Sequence, residues 1–365
     1  MLNHLHLIEA FRIFLRARRL DKVGFEKFSG NSEKICQKIV ERCYNGKFFQ
    51  TSLGHFNQFY IRDFAFSVEA LLHLGYGSEV KRSLEYAMEI FSGKRVIANA
   101  ITPSGKPLHI FKYSPDSLPL LLYSIRKAEA DYLLKKYKNF VQRQVDYYFE
   151  NVFDKNKGIV KNKPFSSIKD NAIRQSSCYD NSMLIMLSDE LSKQFLYNPF
   201  EMYDLRRIMK EKYWTGNYFL EDLSGNKNVT GDAQVFPFWC KVFGNRTMKR
   251  EAVSKIREKG LDNPIPLKYT ATKKEVNVMF PINILLGDYE TNTIWLHLGL
   301  CYLDILDSKK DLERHLDIFK RVIEDIKTFP EVLEPGGKIF KRFHYACDEG
   351  MLWAAKYLYL RDKIG

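Results

Sequence analysis

A carboxylate on a loop bounded by proline and glycine, just ahead of an apolar helix, stands where chains often keep reactive groups. The stretch Phe329-Pro330-Glu331-Val332-Leu333-Glu334-Pro335-Gly336-Gly337 has that form, with Glu331 as first candidate and Glu334 as second. A partner can come from residues 166–182, where Asp170 and Asp180 lie on the way into Met183-Leu184-Ile185-Met186-Leu187. Two carboxyl groups suffice for glycosidic hydrolysis: one protonates the leaving oxygen, and the other activates a water or attacks the sugar. Asp180 also suits a helix N-cap, and Asp170, beside Lys169, suits a solvated turn. Arg62-Asp63 sets a guanidinium next to a carboxylate, a pair that can grip adjacent hydroxyls or simply close a helix start. Tyr60, Asp116, Asp232, Glu290, Trp239 and Trp295, in or near the same apolar segments, are further candidates for holding a sugar, the indoles by stacking. His297 and His344 are expected in the core or at the rim, and nothing arranges them as a metal site.

The elements that must position these residues recur. An acidic or polar start followed by an unusually apolar helix occurs at Asp63, Asp116, Asp180, Asp232, Asn292 and Asp348, at intervals of 52 to 64 residues. Between these starts lie charged amphipathic helices, at about 78–92, 130–150, 201–212 and 311–327; in the last, Leu312, Leu316, Phe319, Ile323 and Ile326 share one face. Residues 5–20 and about 32–45 give two opening helices. Val/Ile/Thr alternation is scarce, so the fold is expected to be all-α. Helices apolar nearly all round are buried and amphipathic ones cover them, which predicts a single (α/α)6 toroid over residues 1–365, with 1–50 as opening helices. An irregular helical solenoid would fit the same periodicity. The toroid, however, gathers all six inner-helix starts at one mouth and opposes the third to the sixth, and those carry the carboxylates above.

Composition narrows the remaining classes. Six scattered cysteines form no CxxC pair and no cluster at zinc spacing, so neither a disulfide framework nor a structural metal is expected. The net charge of +13 would suit a polyanion if it were concentrated, but lysines recur along the whole chain, and no nucleic-acid partner is expected. The longest apolar runs, such as 278–286, fall short of the roughly 20 residues that span a bilayer. Met1-Leu2-Asn3-His4-Leu5 has no basic region ahead of a long apolar one, so a cytoplasmic protein is expected. Oligomeric state is not legible.

Several segments, in order, resemble one family. Tyr60-Ile61-Arg62-Asp63-Phe64-Ala65-Phe66 is similar to the segment of glucoamylases whose Arg-Asp pair holds the non-reducing sugar. Gly231-Asp232-Ala233-Gln234-Val235-Phe236-Pro237-Phe238 resembles their Asp-Ala-Ser-Leu-Leu-Leu-Leu-Pro segment, and Thr293-Ile294-Trp295 their Arg-Val-Trp. The 329–337 loop looks like the one that carries their general base, and Gly350-Met351-Leu352-Trp353-Ala354-Ala355 like the helix after it. Over about 50–360 the chain therefore resembles glucoamylase-like and trehalase-like six-hairpin glycosidases. That implies inverting hydrolysis of an α-glucosidic bond in an oligosaccharide or glycoside, without cofactor or metal, with Glu331 as base. The glucoamylase pattern puts the acid near Asp170, and the trehalase-like pattern matches Ser176-Ser177-Cys178-Tyr179-Asp180-Asn181-Ser182 and picks Asp180, which the resemblance favours because its Asp-x-Ser step is intact. No N-terminal β-sandwich is expected in residues 1–50, and Arg342-Phe343-His344-Tyr345-Ala346-Cys347-Asp348 is unlike the family's lead-in. A barrel that binds sugar without cleaving it, or a non-hydrolytic epimerase, lyase or phosphorylase, are the other classes compatible with these residues.

Overall fold

A computed structural model describes residues 4–279 and 287–364; residues 1–3 of the N-terminal stretch and 280–286 of the apolar run 278–286 lie outside the described residues. In chain order the helices are α1 (His4–Val23), α2 (Ser32–Cys43), α3 (Ile61–His73), α4 (Gly77–Lys94), α5 (Ser117–Lys127), α6 (Asp131–Lys136) and α7 (Lys138–Asn151). There follow α8 (Cys178–Lys193), α9 (Leu205–Tyr213), α10 (Gly231–Trp239), α11 (Arg246–Glu258), α12 (Leu296–Ile305), α13 (Lys309–Ile326) and α14 (Ala354–Asp362). Among the described residues no helix is long and apolar enough to cross a membrane.

Six of these helices close a ring. Each of α3, α5, α8, α10, α12 and α14 packs on the next, and α14 returns to α3. Their composition explains the burial: Leu296, His297, Leu298, Gly299, Leu300, Cys301, Tyr302, Leu303 and Ile305 of α12 are all buried, so this helix has no face for water. Outside the ring α4 lies on α3, α9 on α8, α11 on α10, and α2 on α14 and α13. α13 turns only His315, Leu316, Phe319 and Ile323 fully inward, as its apolar stripe requires. The architecture is an (α/α)6 toroid.

The mouth, at the N-terminal ends of the inner helices, is drawn together by two-residue strands. β1 (Phe59–Tyr60) pairs with β2 (Ala100–Ile101), which pairs with β3 (Pro107–Leu108). β4 (Phe153–Asp154) and β5 (Ile159–Val160) form a hairpin, and β6 (Ile294–Trp295) pairs with β7 (Val332–Leu333), with Trp295 opposite Val332. This last pairing delays the fifth inner helix: Ile294 and Trp295, expected inside it, are strand, and α12 starts at Leu296. The sixth likewise starts at Ala354 rather than near Asp348, because Asp348 and Glu349 are held in the loop ahead of it. The amphipathic segment 130–150 is divided at Tyr137 into α6 and α7.

The ring closes between segments far apart in sequence. The Asp348 carboxylate accepts hydrogen bonds from the Ser52 hydroxyl and from the N–H groups of His55 (3.0 Å) and Phe56 (2.9 Å). A Cβ at position 54 would collide with that carboxylate, so only glycine lets the loop pass so close. Leu352 N–H donates to the Thr51 carbonyl at 2.9 Å, and α14 lies against α2 and α3. α1 crosses the rim, tied by His6 Nε2 to the His109 carbonyl (2.7 Å), by Arg16 to Glu349, and by the Gln58 amide to Glu9.

Candidate active site

The β6–β7 pairing places Glu331 at the mouth, one residue before β7, with its carbonyl accepting from Leu296 N–H at the start of α12. The side chain is 2% exposed. Three donors converge on it: the Tyr289 hydroxyl on Oε1, and the Tyr345 hydroxyl (2.6 Å) and Asp348 N–H (2.9 Å) on Oε2. The two tyrosine hydroxyls are also hydrogen-bonded to each other, at 2.9 Å. Burial, and then the charge of Asp348, push the Glu331 carboxyl up to about 8, against the pull of the tyrosine hydroxyls. His55 stands behind Tyr345, its Nε2 3.4 Å from that hydroxyl, and burial holds its imidazole down at about 4.

A second cluster is built from the first three loops. Arg62, in the first turn of α3, donates from Nε to Asp116 Oδ2 (2.7 Å) and lies 3.7 Å from Asp170 Oδ1. Asp116 also accepts from Tyr179 (2.8 Å) and Ser114 (2.5 Å), so it fixes the guanidinium and has little capacity left for a ligand. Asp170 accepts from Ser166 at 2.8 Å, and its side chain, 23% exposed, is far more open than that of Asp116. Burial raises its carboxyl, and Arg62 opposes that. Asp63 does not cap α3: it takes the indole N–H of Trp353 at 2.9 Å, and burial pushes its carboxyl up to about 6. Tyr60 is half-buried, and its phenol is raised by desolvation first and by the charges of Asp170 and Asp63 next.

Other expected site residues are spent on structure. Asp180 is buried in the first turn of α8, whose cap is Ser177; Asp180 N–H donates to the Ser177 oxygen (3.0 Å), and the Ser177 hydroxyl donates to Asp180 Oδ2 (2.7 Å). Its charge is faced by Arg174 rather than by Arg62. Asp232 is fully buried and ion-paired to Lys169 Nζ (3.2 Å) and Arg174 (3.5 Å), which removes it from sugar contact. Trp239 lies at the C-terminal end of α10, away from the mouth, with Lys356 over its ring at 5.4 Å and the ring packed on Phe66 and Phe236. Trp295 is buried behind Tyr289, donating to its carbonyl at 3.1 Å with ring centroids 4.7 Å apart. Glu290 likewise turns to backbone, accepting from the N–H groups of Asp170 (2.7 Å) and Asn171 (2.6 Å). Glu334 pairs with Arg342.

Lys169 anchors the 166–177 loop from below. It is fully buried, bonded to Glu221 and Asp232, and sits 5.1 Å over the Tyr269 ring. Lys169→Met would leave two buried carboxylates with Arg174 alone, and is expected to lower unfolding free energy by about 3–5 kcal/mol. Urea unfolding checks this, and a loss under about 1 kcal/mol, the size of an exposed pair, would deny the loop its ionic anchor.

Comparison with known proteins gives a fold. No protein-family profile matches the sequence, and no curated protein matches it. Among solved structures, a glycosidase variant superposes with a TM-score of 0.65 at 14% identity, over 100% of this chain and 99% of that one. A rhamnosidase from Klebsiella oxytoca with rhamnose bound gives 0.65 at 12% identity, over 92% of this chain and 65% of its own. A GH63 mannosylglycerate hydrolase from Thermus thermophilus, in complex with Tris, gives 0.61 at 11% identity, over 90% and 99%. The fold is one that glycosidases use.

Sequence reasoning missed Tyr289 and Tyr345, the donors on Glu331, and Trp353 as the partner of Asp63. Tyr345 lies in the segment singled out as unlike the family's lead-in, and that oddity was the available signal. Tyr289 carried none beyond its place next to Glu290. His297, expected in the core or rim, is buried between Phe66, Trp295 and Trp353, with both ring nitrogens unpartnered, and burial holds its imidazole down at about 3. Chemically, the mouth offers one buried carboxylate wrapped in donors and one open carboxylate beside a guanidinium, a set able to move protons at two oxygens.

Proposed function

We propose that the chain is a glycoside hydrolase whose toroid is the catalytic domain, inverting an α-glucosidic or related bond of an oligosaccharide or small glycoside. Asp170 protonates the glycosidic oxygen, Glu331 takes a proton from the attacking water, and Arg62 and Asp63 hold hydroxyls of the non-reducing sugar that the water attacks. The observation that carries this reading is the setting of Asp170 and Glu331 on two loops of one mouth, joined through the adjacent residues Tyr289 and Glu290. The fold shared with glycosidases supports it, as does the guanidinium already fixed by Asp116. Between Asp170 and Asp180, the more open side chain and the Arg62 contact favour Asp170.

The test is a panel of trehalose, maltose, isomaltose, glucosyl- and mannosyl-glycerate and an α-rhamnoside, followed by proton NMR during turnover. Release of a monosaccharide whose first-formed anomer has the configuration opposite to the substrate's is the expected result. A first-formed anomer of retained configuration would replace the water mechanism by a covalent one with carboxyls about 5–5.5 Å apart. Sugar bound tightly and recovered unchanged would reduce the toroid to a binding protein.

A further inference from the structure

We infer that Tyr289 and Glu290 act together as one positioning element, Tyr289 fixing the base and Glu290 the acid, so that a single dipeptide sets how the two carboxyl groups stand to each other. The inference rests on the hydrolase reading with Asp170 as acid and Glu331 as base. The geometry is local and unambiguous. The two residues lie side by side in the turn 287–292, and their side chains reach different loops. Tyr289 sends its hydroxyl to Glu331 Oε1, and Glu290 sends its carboxylate to the backbone N–H groups of Asp170 and Asn171, one on each oxygen. The dipeptide is itself clamped: the Tyr289 carbonyl accepts from both the Trp295 indole (3.1 Å) and the Thr293 hydroxyl. Trp295 in turn is held opposite Val332, the residue after Glu331, by the β6–β7 pairing. Base, tyrosine, glutamate and acid loop thus form one continuous chain of hydrogen bonds and backbone.

The arrangement also separates the protonation of the two groups. Asp170 and Glu290 face each other as like charges; after burial, the charge of Asp170 is the main cause that raises Glu290, to about 8. A proton on such a pair is held to higher pH than on either carboxyl alone. The other groups facing the pair are Arg62, Asp63, Tyr60, Asp116, Arg174 and Tyr269. Around Glu331 stand Tyr289, Tyr345, Asp348 and Cys347, where the tyrosine hydroxyls favour the ionised form.

The two residues therefore act on opposite limbs of the pH profile of kcat/KM. In Glu290→Gln the acid loses its like-charged neighbour while Arg62 and Arg174 remain, so the limb that Asp170 sets moves to lower pH and the limb that Glu331 sets stays. In Tyr289→Phe the carboxylate of Glu331 loses a donor, so the limb that Glu331 sets moves to higher pH by about one unit and the limb that Asp170 sets stays. kcat falls about 10- to 100-fold in each, and KM changes little, because neither residue holds the sugar. Unmoved limbs, or both limbs moving together in each variant, would overturn the inference, since loosened packing has no reason to choose a limb. If Glu290→Gln does not fold, Tyr289→Phe decides alone by the same criterion. Asp170→Asn and Glu331→Gln are measured beside them: if both are inactive while the limbs stand still, only the inference falls. If either keeps wild-type activity, the hydrolase assignment falls and takes the inference with it.

Discussion

Glu331→Gln is expected to lower kcat by about 10³-fold or more while the protein stays folded. The amide keeps the volume and can still accept from Asp348 N–H, so the packing around it survives, but it cannot take a proton from water. Stability should move the other way. A carboxyl whose folded pKa, about 8, lies above its unfolded value favours the native state fully only below the unfolded value, and that advantage is lost as pH rises to 8. The variant lacks this liability, so its melting temperature should gain on wild type between about pH 4.5 and 8. Wild-type kcat/KM should carry one limb near the same pH, because ionisation of the base sets it. Thermal melts and pH–rate profiles on both proteins read these effects. Full activity in Glu331→Gln would remove Glu331 from the chemistry, and a variant that melts earlier at every pH would mean that its carboxyl is not raised in the folded state.

Asp170→Asn is expected to cost about 10²- to 10⁴-fold with an alkyl or sugar leaving group, and far less with a glycosyl fluoride, whose departing ion needs no proton. Asp180→Asn should behave differently. Its carboxylate serves the first turn of α8 through Ser177, so the change should reduce stability by about 1 kcal/mol and activity by no more than a few-fold, without dependence on the leaving group. Steady-state kinetics on a matched pair of substrates separates the two. Leaving-group dependence in Asp180→Asn instead would reverse the assignment.

The ring itself was legible because helices such as α12 and α8 are apolar on every side and recur after polar starts, which only a buried layer explains. Proline and glycine pointed to the loop of Glu331, and the structure places that loop at the mouth. What surrounds it was not: Tyr289 and Tyr345 reach it across 42 and 14 residues, through hydroxyls that leave no period in sequence. Asp180 and Asp232 could not be told apart from sugar ligands in sequence, because a carboxylate at the start of an apolar helix has the same pattern whether it caps, pairs or binds. Only the three-dimensional arrangement shows that Lys169 and Arg174, both inside the acid loop, consume Asp232. Trp239 misled because an indole on an inner helix can lie at either end of the ring, and position within the helix decides which.

The seam between Asp348 and the Ser52–Phe56 loop has a consequence for biosynthesis. The residues it joins are separated by 296 positions at Ser52, so a chain emerging from the ribosome cannot close the ring until its last repeat is out. Until that moment the faces of α2 and α3 that will receive α14 stay bare, and the nascent protein carries an open apolar flank on which holdases can act. Translation speed through the final repeat thereby sets how long that flank is exposed.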